Sequence, residues 1–341
     1  MTVICRNTLS FIYNMTLALS LAFFIGGLYV IIKGGDFLVE SALCLNKITG
    51  INQVIIGATF ISVATTLPEV FVSIFAVVSD NYGIAVGNAV GSMIANVALV
   101  LALYITFLPH KVHRRSIYGK SLYLFIVTGL VFLFASNLKI TWFEGIILLI
   151  IFSLFLYLNI NEAKNDDHQP IANAQIATNK KEKNKAIKKV IIGFTVGQVM
   201  LIIGAFLLVD HGERLAHLLG ISETVVGLTA IAVGTSMPEL ITCIASIRKK
   251  SGGLALGNVI GSNIINCTLL IGVCGLIGDI HGSALPLSRD TFLVSLPFLF
   301  ILYLVAIVPM MLKARTYRWQ GIALLSLYAL YVGYLIVTQP I

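Results

Sequence analysis

Apolar residues run in long stretches along this chain, and polar residues gather in short intervals between them. A helix needs about 20 apolar residues to cross the hydrocarbon of a bilayer. Ten windows meet that need, at 13–32, 51–78, 83–108, 121–138, 140–161, 190–209, 221–247, 253–278, 291–312 and 319–338. The pattern predicts an all-α polytopic membrane protein with ten transmembrane helices. Arg6 before the first window suggests a signal peptide, but the window's length and the lack of an A-x-A-like cleavage site predict that it is retained. Only 162–189 forms a long polar interval. It is too short for a folded domain and reads as a solvated linker between 1–161 and 190–341.

Composition agrees with that reading. Of 341 residues, 58% are hydrophobic and 11% charged, against about 25% charged in soluble domains. This excludes a disordered chain and argues against a soluble enzyme, as does a mean hydropathy of +0.95. The five cysteines form no CxxC pair and read as small packing residues. A net charge of +8 would suggest nucleic acid in a soluble protein. Here it follows the membrane instead: with ten spans, 18 Lys and Arg fall on one side and four on the other, among them Arg6 and Lys139. The positive-inside rule then places both termini outside and 162–189 in the cytoplasm of an inner (plasma) membrane protein with no nucleic-acid partner.

The chain also contains an internal repeat. Residues 57–99 align without a gap to 227–269 at a constant offset of 170, pairing Gly57 with Gly227, Thr65 with Thr235, Pro68 with Pro238, Glu69 with Glu239, Asn88 with Asn258 and Ser92 with Ser262. Each half holds five predicted spans, an odd number, so the second half enters the membrane in the opposite sense. Two inverted five-helix repeats around a midplane site are an architecture of secondary transporters and favour carriage over catalysis.

The repeated residues suggest the cargo. Glu69 and Glu239 lie deep in the second and seventh windows, where an ionised side chain costs about 2.5–3.5 kcal/mol. No Lys or Arg lies in those windows, nor in the third or eighth, so a bound cation is the simplest partner. Pro68 and Pro238 remove a backbone N–H, which predicts unwound or kinked turns at Thr65–Pro68 and Thr235–Pro238 and discontinuous helices 2 and 7. Asn88, Ser92 and Asn96 share one helix face, as do Asn258, Ser262 and Asn266. Carboxylate, amide, hydroxyl and carbonyl oxygens suit hard cations such as Na⁺ or Ca²⁺. Taken singly, the prolines are kinks and Gly87-x-x-x-Gly91 is a packing device. The duplicated set with an acid in each copy points to a site.

At these residues the chain resembles the sodium/calcium exchanger branch of the cation/Ca²⁺ exchanger superfamily, whose paired repeats read GTSLPE and GNxxGSNxxN/D. The resemblance implies that Glu69 and Glu239 bind Ca²⁺ directly, with Thr65 and Thr235 beside them. It further implies that Ser62, Thr65, Thr66, Ser92, Ala232, Thr235, Ser236 and Ser262 join the two glutamates in Na⁺ sites, Ser62 and Ala232 through their carbonyls. Asn96 and Asn266 would lie near these sites, and the first and sixth helices would act as a sliding gate. Ala64-Thr65-Thr66 departs mildly from Gly-Thr-Ser and keeps the hydroxyls. Asn266 replaces the aspartate of the potassium-dependent branch, which argues against K⁺ dependence.

The expected function is a Na⁺/Ca²⁺ antiporter that normally extrudes Ca²⁺, not an enzyme, with no cofactor beyond the transported ions. A H⁺-coupled Ca²⁺ exchanger is the alternative in the same class, and a cation channel in another. An intramembrane hydrolase lacks a suitable dyad or metal-binding histidines. Asp36 and Glu40, and Asp210 and Glu213, lie near helix ends. Structural pairing, with Lys33 and Arg214 nearby, is the expectation for them.

Overall fold

The computed structural model describes residues 2–109, 111–112, 114–165, 180–218, 234, 236–280, 282 and 284–338. They are almost wholly helical. In chain order the helices are α1 (Thr2–Thr49), α2 (Gln53–Val78), α3 (Tyr82–Phe107), α4 (Arg114–Phe134), α5 (Trp142–Asn165), α6 (Lys180–Leu218), α7 (Met237–Arg248), α8 (Gly252–Ile280), α9 (Thr291–Lys313) and α10 (Arg318–Thr338). Among the described residues, eight helices are long and apolar enough to cross a membrane. α10 fills the tenth window, and of the seventh window α7 is the described helix.

Local chemistry explains the helix ends. Gly50, at φ 73°, ends α1 in the left-handed conformation that glycine adopts without a Cβ penalty, and its N–H returns to the Asn46 carbonyl at 2.8 Å. Asn52 Oδ1 caps α2 by accepting from the Val54 N–H at 2.9 Å. Before α5, Thr141 and Glu144 have capping-box spacing, with the Thr141 N–H donating to Glu144 Oε2 at 2.7 Å.

Glycines let backbones approach where helices from the two halves cross. α1 lies along α6 with Gly34 against Gly197; a Cβ on Gly197 would stand 2.9 Å from the Gly34 carbonyl. α2 crosses α8 at Gly57, Gly257 and Gly261, where a Cβ on Gly261 would fall 2.6 Å from Ala58 Cα. Such contacts suit apolar surroundings, where association relies on close packing. Large apolar side chains such as Phe75, Phe206 and Leu330 cover the outer surface, as a lipid-facing surface requires.

Short loop pairings join loops that the charge pattern assigns to the same side. Strand β1 (Lys139–Ile140) pairs antiparallel with β2 (Leu285–Pro286), and Lys111 bridges to Arg315. Arg248 and Lys249, just past the seventh window, reach α1, where Arg248 lies 3.5 Å from Asp36 and Lys249 2.7 Å from Glu40. Lys33, the expected partner of these acids, lies instead over the Tyr29 ring. Arg214 does pair with Asp210, at 3.1 Å.

Two expectations need correction. α1 runs on to Thr49 instead of ending near 32, because its acids Asp36 and Glu40 are paired by the second half and neither Gly34 nor Gly35 costs enough to stop a long helix. The described ends of the 162–189 interval are helical, to Asn165 and again from Lys180, since lysine and glutamate are good helix formers whatever their hydropathy. The discontinuity placed at Thr65–Pro68 is absent: α2 continues as α-helix through Pro68, and its irregularity is a π-helical turn one step earlier, at Gly57–Ile61.

Candidate functional site

The crossing of α2 and α8 brings the two motif copies face to face. Glu69 lies within α2 one residue after Pro68, and Glu239 lies in the first turn of α7 one residue after Pro238. Both carboxylates are fully buried, as are Thr65, Thr66, Ser92, Asn96, Ser262 and Asn266, while Ser236 is 4% exposed. Burial of so many polar groups requires that they serve one another or a ligand.

Each acid is served by the other half. Ser236 Oγ donates to Glu69 Oε1 at 3.3 Å, and Asn266 Nδ2 donates to Glu69 Oε2 at 2.9 Å. Reciprocally, Thr66 Oγ1 approaches Glu239 Oε1 at 3.5 Å, the limit of a hydrogen bond. Thr65 Oγ1 reaches Asn258 Oδ1 at 3.2 Å and Ser262 Oγ at 3.5 Å, and it also lies within 3.4 Å of the Ser62 carbonyl. Asn88 Nδ2 donates to the Glu69 carbonyl at 3.0 Å and Asn258 Nδ2 to Thr242 Oγ1 at 3.1 Å, so these two amides brace the acid-bearing helices.

Four site oxygens remain without a hydrogen-bond partner among the described residues: Ser92 Oγ, Asn96 Oδ1, Glu239 Oε2 and Asn266 Oδ1. A buried bare oxygen costs roughly 1–3 kcal/mol, more if charged. Together with the other carboxylate oxygens, and with no Lys or Arg in the windows at 51–78, 83–108, 221–247 and 253–278, these four make a set of acceptors short of positive charge. The site is thus chemically suited to a cation; with hydroxyls and carbonyls included, it holds enough oxygens for the six to eight that Ca²⁺ takes.

The structure therefore gathers Thr65, Thr66, Glu69, Ser92, Ser236, Glu239, Ser262 and Asn266, with the Ser62 carbonyl alongside, and buries Asn96 one helical turn from Ser92. Thr235 and Ala232, as well as Asp166, Asp167 and His168 of the linker, lie outside the described residues. Residues beyond the sequence reading also take part. Asn263 accepts from Asn96 Nδ2 at 3.1 Å and donates to the Met93 carbonyl at 3.1 Å and the Tyr303 hydroxyl at 3.2 Å. An amide inside an apolar window was the available signal. Gln198 of α6 donates to the Ala64 carbonyl at 2.7 Å. Both π-helical turns that start at Asn96 and Asn266 lie at the site, a common place for such turns.

Known proteins resemble this chain in sequence and fold. The family profile described as sodium/calcium exchanger protein matches residues 19–161 and 189–337. The sodium/calcium exchanger MaX1 of Methanosarcina acetivorans is 28% identical over 338 residues, covering 90% of this chain and 95% of that one. The inner membrane protein YrbG of Escherichia coli is 35% identical over 279 residues, covering 80% and 84%. Among solved structures, the sodium-calcium exchanger NCX_Mj soaked with Na⁺ and Sr²⁺ superposes with a TM-score of 0.78 at 30% identity, covering 93% of this chain and 99% of that one.

Proposed function

The chain belongs to the sodium/calcium exchanger family, and on that premise we propose that it exchanges Na⁺ for Ca²⁺ across the inner membrane by alternating access, normally extruding Ca²⁺. The observation that carries this reading is the pair of buried carboxylates from opposite halves, ringed by unpartnered oxygens and without a cationic side chain. Two ionised glutamates balance one Ca²⁺ or two Na⁺, so either cargo discharges the site and competes for it. That competition is the physical basis of exchange.

In this reading Glu69 and Glu239 ligate Ca²⁺ with Thr65 and Thr235 beside them. Na⁺ takes oxygens from Ser62, Thr65, Thr66, Ser92, Ala232, Thr235, Ser236 and Ser262 together with the acids. Asn96 and Asn266 border the ions. Ten spans form two inverted five-helix repeats, with helix 7 broken at the acid, and the termini lie outside. The pairing of loops assigned to a common side supports this layout. α1 and α6, packed through glycines, are the elements that slide.

The test is Ca²⁺ flux into Na⁺-loaded proteoliposomes. Removing the Na⁺ gradient at fixed pH stops uptake if Na⁺ is the counter-ion. Uptake that persists and instead follows a pH gradient makes the protein a H⁺-coupled exchanger, and Ca²⁺ conduction without any counter-ion makes it a channel.

A further inference from the structure

In an α-helix the carbonyl of residue i accepts from the N–H of residue i+4. For Ala64 that residue is Pro68, which has no N–H. α2 nevertheless runs on as α-helix, and a donor comes from another helix: Gln198 Nε2 on α6 lies 2.7 Å from the Ala64 carbonyl. Ala64 is fully buried and immediately precedes Thr65 and Thr66 of the ion site. One amide thus fastens α6 to the site helix at the position that the proline has left without its donor.

We propose that Gln198 is a positioning residue that latches α6 to α2 in one end state of the exchange cycle and releases it in the other, so that this single bond sets the balance between inward-facing and outward-facing protein. The proposal rests on the antiport reading above. Three features shape it. The α1–α6 contact is built on glycines at 27, 34, 197 and 204, which give little resistance to sliding, so a directional bond at its edge has leverage. The latch is also one-sided, because Gln198 Oε1 is buried and has no partner among the described residues; its desolvation offsets much of what the donor gains, leaving the bond easy to exchange. Finally, Gln198 has no like side chain at the corresponding position of the first half. The offset of 170 that pairs Gly27 with Gly197 and Gly34 with Gly204 pairs Gln198 with Leu28, an exposed side chain without a donor. A bond that Gln198 makes and Leu28 cannot make favours one of two otherwise pseudo-symmetric states.

A double-mutant cycle tests this, using Gln198→Met, Pro68→Ala and the combination in proteoliposomes, with half-saturating Ca²⁺ measured at each membrane face. Gln198→Leu, the side chain of the other half, serves as a second variant should the Met form insert poorly. The parent protein is the control for the underlying reading: if it shows no Na⁺-driven Ca²⁺ exchange, the antiport assignment fails whatever the variants do. In an exchanging parent, loss of the latch shifts half-saturating Ca²⁺ in opposite directions at the two faces by roughly fivefold, because one end state is depopulated in favour of the other. In the Pro68→Ala background the helix supplies its own N–H to Ala64, and the same Gln198 substitution then moves either value by less than about twofold. Shifts in the same direction at both faces, no shift, or equal shifts in both backgrounds would overturn the proposal, since a general packing defect depends neither on the face nor on the presence of Pro68.

Discussion

At Pro68 a helix continues, whereas at Pro238, its equivalent in the second copy, a helix begins. Thr66 is helical, while its counterpart Ser236 sits in a turn at φ −88°, ψ 4°. The acids differ as well. Glu69 has both carboxylate oxygens engaged by donors from the second half, whereas Glu239 Oε1 has Thr66 at 3.5 Å and Glu239 Oε2 has no hydrogen-bond partner among the described residues. The two copies also differ at one neighbouring position. Asn266 gives its amide to Glu69, but its counterpart Asn96 gives its amide to Asn263. Residue 263 corresponds to Met93 in the first copy, which has no side-chain oxygen to divert Asn266. This Met/Asn difference between the copies accompanies the contrast between the two acids among the described residues.

Removing either charge is the most severe way to test that contrast. Glu69→Gln and Glu239→Gln are each expected to lower Ca²⁺ flux by about 100-fold or more, because a dry divalent site loses half its counter-charge. Both variants should insert and keep the ion-free thermal midpoint of the parent, since a neutral amide lowers the cost of burial, while the Ca²⁺-dependent rise in midpoint disappears. Near-parental flux in either would remove that acid from the site.

Next in size is Asn266→Asp. The substitution replaces the donor to Glu69 with a third acid at nearly unchanged size, so the variant is expected to lose Ca²⁺ affinity by about tenfold and to gain affinity for monovalent cations, including K⁺. Flux measured with and without K⁺ reads this out, and K⁺ stimulation of the parent would contradict the role given to Asn266.

Asn263→Met makes the two copies alike where they diverge. Asn96 is then free to turn toward Glu239, which should raise half-saturating Ca²⁺ severalfold. The loss of bonds to the Met93 carbonyl and Tyr303 should lower stability by about 1–3 kcal/mol. A drop in stability with unchanged Ca²⁺ dependence would show that Asn263 only packs the core. The smallest effect belongs outside the site: Lys249→Ala breaks the pair with Glu40, a surface contact worth at most about 1 kcal/mol, and should leave half-saturating Ca²⁺ unchanged.

Membrane class, the repeat, the acids and the ring of hydroxyls and amides were all legible in the sequence, because hydropathy and spacing are local properties that one strand of text carries. Chain continuity at the two prolines was not. A proline's effect on its helix depends on whether another helix replaces the missing donor, and Gln198, 134 residues from Ala64, is invisible to any window on α2. The same limit applies to α1, whose polar residues look like a helix end until Arg248 and Lys249 arrive from the second half. The sequence by itself determined which oxygens enter the membrane and that they come in two sets. The tertiary structure decided which of them are spent on one another and which, on Ser92, Asn96, Glu239 and Asn266, have no partner among the described residues, because hydrogen bonds between residues some 170 positions apart form only where the crossing of α2 and α8 brings them within about 3 Å.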